Sequence, residues 1–125
     1  MKIIIAGGRD FNDFEKLNKE CITIIKEQLK PKTRSEIEIV SGTANGADKL
    51  GEQFAEKYKI KVKQFAANWN LYGKSAGYKR NEQMAVYAKE DKGVLIAFWD
   101  GKSRGTKHMI ELAEKHELEV FVVLY

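Results

Sequence analysis

Two short runs, Lys2 to Ala6 (KIIIA) and Lys92 to Trp99 (KGVLIAFW), are apolar at nearly every position. A strand that faces water on one side alternates polar and apolar residues, so a run apolar on both faces belongs inside a sheet that is covered above and below. Three other runs punctuate the chain: one ending at Ser41-Gly42, Ile60 to Phe65 (IKVKQF), and Val120 to Tyr125 (VFVVLY). Between them lie helical stripes. Phe14, Leu17, Cys21, Ile24 or Ile25 and Leu29 form the first, closed by Pro31; Ala47, Leu50, Phe54 and Tyr58 the second; Met84, Ala85 and Ala88 the third, on a helix from Ala76 to Glu90; and Met109, Leu112, Ala113 and His116 the fourth. Strands alternating with helices at this spacing predict a parallel sheet covered on both faces and joined by right-handed crossovers, an α/β sandwich of three layers. The third strand carries Lys61 and Lys63 and is the most alternating. It therefore belongs at an edge, which selects the order 3-2-1-4-5 over 2-1-3-4-5.

A chain of 125 residues is sized for one domain, residues 1–125. One cysteine, Cys21, sits in a helical stripe, which leaves neither a disulfide framework nor a cysteine metal cluster. His108 and His116 are eight apart on one helix, a spacing that does not build a metal site, so no metal and no cofactor is expected. No apolar run approaches the roughly 20 residues that span a bilayer, and the first strand begins at once without a leader pattern; a cytoplasmic protein away from the membrane is the expectation. The net charge of +4 favours an anionic partner only if the cations are gathered in one place.

The turns after the strands do gather them. In a doubly wound sheet these turns open on one edge, and ligands lie where the strand order reverses, between the first and fourth strands. The first turn holds Gly7, Gly8, Arg9 and Asp10; the second Ser41, Gly42, Thr43, Ala44, Asn45, Gly46, Ala47 and Asp48; the third Trp69, Lys74, Lys79, Arg80 and Asn81; the fourth Trp99, Ser103, Arg104, Gly105 and Thr106. In the second turn Gly42 and Gly46 leave the backbone open to a ligand, and Asn45 with Asp48 has the spacing of a cap, so helix-start amides would face an anion. In the first turn Asn12 and Glu15 have the same capping spacing. Gly77, Arg80 and Asn81 continue the buried stripe of the third helix, and polar groups in that position need partners. Trp69 and Trp99 stand on the same rim, placed to contact a base. Four such turns predict a pocket for a phosphorylated, base-containing molecule.

GGRDF, SGTANGAD, GKSAGYKRNEQM and WDGKSRGT, spread over nearly the whole chain, resemble the YspA-like branch of the SLOG superfamily, a Rossmann-like nucleotide-binding group. The resemblance implies a nucleotide or nucleoside-phosphate ligand, NAD- or ADP-ribose-related forms included, held by a sensor or sequestering protein. Phosphoribohydrolases of the LOG type in that superfamily use an Arg in R-x-x-x-M and a Glu in G-G-x-G-T-x-x-E. Arg80 and Met84 match the first motif; Gly105 and Thr106 match part of the second, but Met109 stands where the glutamate would be. N-glycoside hydrolysis of nucleoside monophosphates, with Arg80 as its catalytic residue and Asp10, Asp48, Asp100 or Glu111 in place of the glutamate, thus ranks behind binding. Ser41 to Asp48 also match the S-G-x-A-x-G-x-D motif of DprA, which implies a third alternative, single-stranded nucleic acid on the Lys-rich third strand with Trp69 and Tyr72. The last strand lacks the charges that guard an exposed edge, so a homodimer is expected.

Overall fold

The computed structural model describes residues 1–125. Five strands, β1 (Lys2–Gly7), β2 (Glu38–Ser41), β3 (Lys61–Gln64), β4 (Gly93–Trp99) and β5 (Glu119–Leu124), form one parallel sheet in the order β3-β2-β1-β4-β5. That is the order the burial argument selects. β1 and β4 pair along their whole length, from Lys2 opposite Gly93 to Gly7 opposite Phe98. Every residue of β3 is exposed, as its lysines require.

The helices are α1 (Phe14–Ile24), α2 (Ala47–Lys57), α3 (Trp69–Tyr72), α4 (Ala76–Lys89) and α5 (Arg104–Lys115). Alternate residues of each central strand feed opposite cores. Ile3 and Ile5 of β1 and Val94, Ile96 and Phe98 of β4 pack with α1 and α2 through Leu17, Cys21 and Phe54. Ile4, Ala6, Leu95 and Ala97 meet α4 and α5 through Met84, Ala85, Met109 and Ala113. β1 is apolar and buried from Ile3 to Ala6 and β4 from Val94 to Phe98, and burial on both faces fixes them at the centre.

Two local expectations change, and a further segment gains structure. Asp13, not Asn12, caps α1, its carboxylate accepting the Lys16 amide at 3.0 Å. The helix then widens into a π turn over Ile25–Leu29 and stops at Lys30, whose φ of 48° is left-handed, one residue before Pro31. The segment Ala66 to Ser75, without any regular pattern in sequence, contains α3 and a 3₁₀ turn at Gly73–Ser75. Asn68 starts α3 by accepting the Leu71 amide at 3.1 Å, which is the short-range signal that a four-residue helix leaves in place of a stripe.

Candidate functional site

The cavity lies at the carboxyl edge of the sheet, above the reversal between β1 and β4, and has a volume of about 500 Å³. Gly7, Gly8, Arg9 and Asp10 line it from the first turn, Ala44 and Asp48 from the second, Trp69, Arg80 and Asn81 from the α3–α4 side, and Ser103, Gly105 and Thr106 from the start of α5. Gly42, Thr43 and Asn45 line an adjoining hollow that shares Arg9, Ala44, Trp69 and Arg80. All four turns therefore contribute to one edge.

Five expected residues stand outside both hollows. Ser41 is buried and gives its hydroxyl proton to Glu52 at 2.6 Å while accepting the Thr43 amide. Gly46 and Ala47 are packed against the first turn, where the Ala47 amide donates to the Gly8 carbonyl at 3.1 Å. Trp99 is half-buried and its indole N–H donates to the Ser103 carbonyl at 3.0 Å; it braces the fourth turn and is not in the cavity wall. Arg104 is exposed at the start of α5 and is not part of this wall. Ala6, Tyr78, Asp100, Lys74, Gly77, Met84 and Met109 complete the lining. Tyr78 is the one with no signal of its own, since it sits between Gly77 and Arg80 without joining the buried stripe.

The second turn differs from the expected amide cradle. Asp48 does not pair with Asn45 to cap α2; Gly46 occupies the cap position without a side-chain bond, and the Asp48 carboxylate reaches back to the Ala44 amide at 3.2 Å. With Thr43 bound to Ser41 and Ala47 to Gly8, three amides of this turn are already satisfied. The space beside both glycines is taken up by the protein's own atoms. A Cβ on Gly42 would lie 2.7 Å from Asp48 Oδ2 and 3.0 Å from Arg80 Cδ, so Gly42 makes the space in which these two side chains approach each other. A Cβ on Gly46 would lie 2.2 Å from the Gly8 carbonyl oxygen, at a φ of 82°. Free backbone donors are found instead at α5, where Ser103 caps the helix and no protein acceptor meets the Arg104 or Gly105 amides. Nothing crowds Gly105.

Arg80 supplies the partners that the polar end of the α4 stripe demands. Its Nη1 donates to the Gly42 carbonyl at 2.6 Å and its Nε to Asn81 Oδ1 at 3.1 Å, while Asn81 Nδ2 donates to the Gly105 carbonyl and to Nδ1 of His108 at 3.2 Å. Arg80 thus ties the second turn to the fourth through Asn81. Its Nη2 lies over Gly77 beside the Trp69 ring. Burial lowers the Arg80 pKa, opposed by the nearby Asp48 and assisted by Arg9. Asp48 is only 4% exposed, and burial pushes its carboxyl up to about 6 despite Arg80 and two backbone amides. Neither Arg9 nor Arg80 belongs to an ion pair; those of the protein are Met1–Asp91, Lys2–Glu90, Lys49–Glu52 and His116–Glu82. Arg80, half-buried, and Arg9, exposed, thus bring guanidinium donors to the cavity with no carboxylate oxygen within 4.0 Å of either, an arrangement disposed to receive an anion.

A three-layer sandwich on a parallel sheet of this order, with its cavity at the switch point, defines a Rossmann-like α/β protein. Residues 1–72 match the family described as YAcAr, the YspA, cpYpsA-related SLOG family, and the chain belongs to it. The Gene 61 protein of Mycobacterium phage D29 is 36% identical over 87 residues, which are 66% of this chain and 67% of that protein. The fold is similar to that of DNA processing protein A (DprA) from Streptococcus pneumoniae, with a TM-score of 0.67 at 18% identity over 97% of this chain. The chain spans about half the length of that DprA chain, 49% of it. No helix is long and apolar enough to cross a membrane.

Proposed function

We propose that the protein binds a nucleotide or nucleoside-phosphate derivative in the cavity above β1 and β4, with NAD- and ADP-ribose-related molecules included, and acts as a sensor or sequestering protein. The observation that carries this reading is the pair of arginines, Arg9 and Arg80, that line one cavity with neither of them in a salt bridge. Phosphate lies against Arg80 and the open Gly105 amide, and Trp69, 51% exposed at the rim, offers its face to the base. Family membership supports the ligand class.

Met109 favours binding over cleavage. It is 1% exposed and forms part of the cavity wall, so an uncharged thioether stands where N-glycoside cleavage would need a carboxylate to stabilise positive charge growing on the sugar. Incubated with AMP, NAD or ADP-ribose, the protein is expected to return each intact, while mass spectrometry of small molecules released from the purified protein shows a nucleotide. Free base appearing in the AMP incubation, and absent with Arg80→Ala, would make it a hydrolase instead. A short single-stranded oligonucleotide binding more tightly than any mononucleotide, with steep salt dependence, would shift the ligand class to nucleic acid, for which the exposed Trp69 and Tyr72 beside Lys74 and Lys79 would serve.

The same reading includes a homodimer. β5 lies at a sheet edge, with Val122 43% and Leu124 63% exposed, and it carries no lysine or proline against edge pairing. The other edge, β3, has Lys61 and Lys63. Light scattering at micromolar concentration is expected to give twice the chain mass of 14.3 kDa, and Val122→Lys is expected to return it to one. A single-chain mass for the unaltered protein removes the dimer.

A further inference from the structure

Asp10 lines the cavity, is exposed, and is nevertheless held in place. The Tyr125 hydroxyl donates to its Oδ1 at 2.7 Å, and the Tyr125 ring packs on Phe11 with centroids 4.7 Å apart, Phe11 in turn stacking on buried Phe98 at 5.0 Å. Space for this pair is made by Gly8, where a Cβ would lie 1.7 Å from the Tyr125 oxygen and 2.8 Å from Asp10 Oδ1. No lysine, arginine or histidine nitrogen comes within 4.0 Å of the Asp10 carboxylate. Burial and the Asp10 bond raise the Tyr125 pKa above the ordinary phenol range, so Tyr125 remains a donor at neutral pH; the bond occupies Asp10 Oδ1 and leaves the second carboxyl oxygen for a ligand.

A carboxylate accepts and cannot donate, so what it recognises in a ligand is a hydroxyl or an amine, and it repels phosphate. Arg9 and Arg80 give the same cavity the opposite preference. A ligand that satisfies both carries an anion at one end and hydroxyl donors a few bonds away, which is the chemistry of a ribonucleoside 5′-phosphate. Resting on the nucleotide reading above, we propose that Asp10, positioned by Tyr125, accepts a hydrogen bond from a ribose hydroxyl and makes the pocket select ribonucleotides over deoxyribonucleotides and over nucleotides phosphorylated on that hydroxyl.

Calorimetry with AMP, 2′-deoxy-AMP and 3′-deoxy-AMP tests this. For the unaltered protein one or both deoxy analogues are expected to bind about ten- to hundredfold more weakly than AMP, the range for a hydrogen bond to a charged group. Asp10→Ala is expected to bring that ratio close to one, and Tyr125→Phe, which keeps the ring against Phe11 but frees the carboxylate, to reduce it severalfold. A purely structural role for the pair lowers the melting temperature or weakens all three ligands alike and leaves the ratio unchanged; that result overturns the inference. Equal binding of AMP and both deoxy analogues by the unaltered protein overturns it as well, with nucleotide binding intact. Failure of AMP itself to bind removes this inference together with the reading it rests on.

Discussion

Gly46→Ala is expected to lower the melting temperature by roughly 10 °C or more, corresponding to a loss on the order of 3 kcal/mol. Two costs combine. At φ 82° and ψ −131° an alanine is strained, about 1 to 3 kcal/mol by itself. Its Cβ would also sit 2.2 Å from the Gly8 carbonyl oxygen and 2.7 Å from the Arg9 Cα, and both are backbone atoms that no rotamer change can move aside. The first and second turns must then separate, which breaks the Ala47 amide bond to Gly8 and shifts Arg9. Gly101 provides the control, since it has nearly the same φ, 83°, with nothing within 4 Å of a Cβ. Gly101→Ala should show the backbone cost alone. Thermal unfolding of the two variants side by side separates crowding from strain, and equal losses would mean that the turns do not depend on the close approach.

Gly46 also shows why the fold was legible in the sequence while part of the site was not. Strand order followed from counting polar residues on each strand, and that signal is strong because the sheet buries β1 and β4 completely and leaves β3 wet. The meeting of four turns followed from that order. The purpose of each glycine did not, because a sequence shows that a Cβ is missing and not what fills the space. In the second turn the space beside Gly42 is taken by Asp48 and Arg80, and that beside Gly46 by the backbone of the first turn. Trp99 stands outside the cavity lining for a reason the sequence does not carry: an aromatic at the end of a strand is equally suited to a ligand face or to bracing, and its N–H donates to a carbonyl four residues on. Arg80 and Asn81 were legible because they interrupt an apolar stripe, a conflict that only partners resolve. The link from Asp10 to Tyr125 joins residues 115 apart in sequence and left no local trace.

Arg80 is where the second large effect is expected. Arg80→Lys should weaken nucleotide binding about ten- to hundredfold in calorimetry, although the charge is kept, and Arg80→Ala should weaken it further. A lysine has one nitrogen. Its three N–H donors all leave one atom, which cannot stand at once beside the Gly42 carbonyl, beside Asn81 Oδ1 and over Gly77, the places that the three guanidinium nitrogens occupy. Arg9→Ala, at an exposed position, should cost less. Loss of binding has to be separated from loss of folding, and Asp48 supplies the means. Its folded pKa of about 6 lies above the ordinary value near 4, so the folded protein holds this proton more tightly than the unfolded chain. Asp48 therefore favours folding most fully below about pH 4, and that contribution is lost as the pH rises through about 6. Arg80→Ala removes the opposing positive charge and raises the Asp48 pKa further, so the loss, which begins near pH 4 in either protein, grows larger and runs on to higher pH. Melting curves should show the variant approaching the unaltered protein at pH 5 and falling behind it at pH 8. If Arg80→Ala binds nucleotide as tightly as the unaltered protein at pH 5, where it is folded, Arg80 serves only to neutralise Asp48 and the anion lies elsewhere in the cavity.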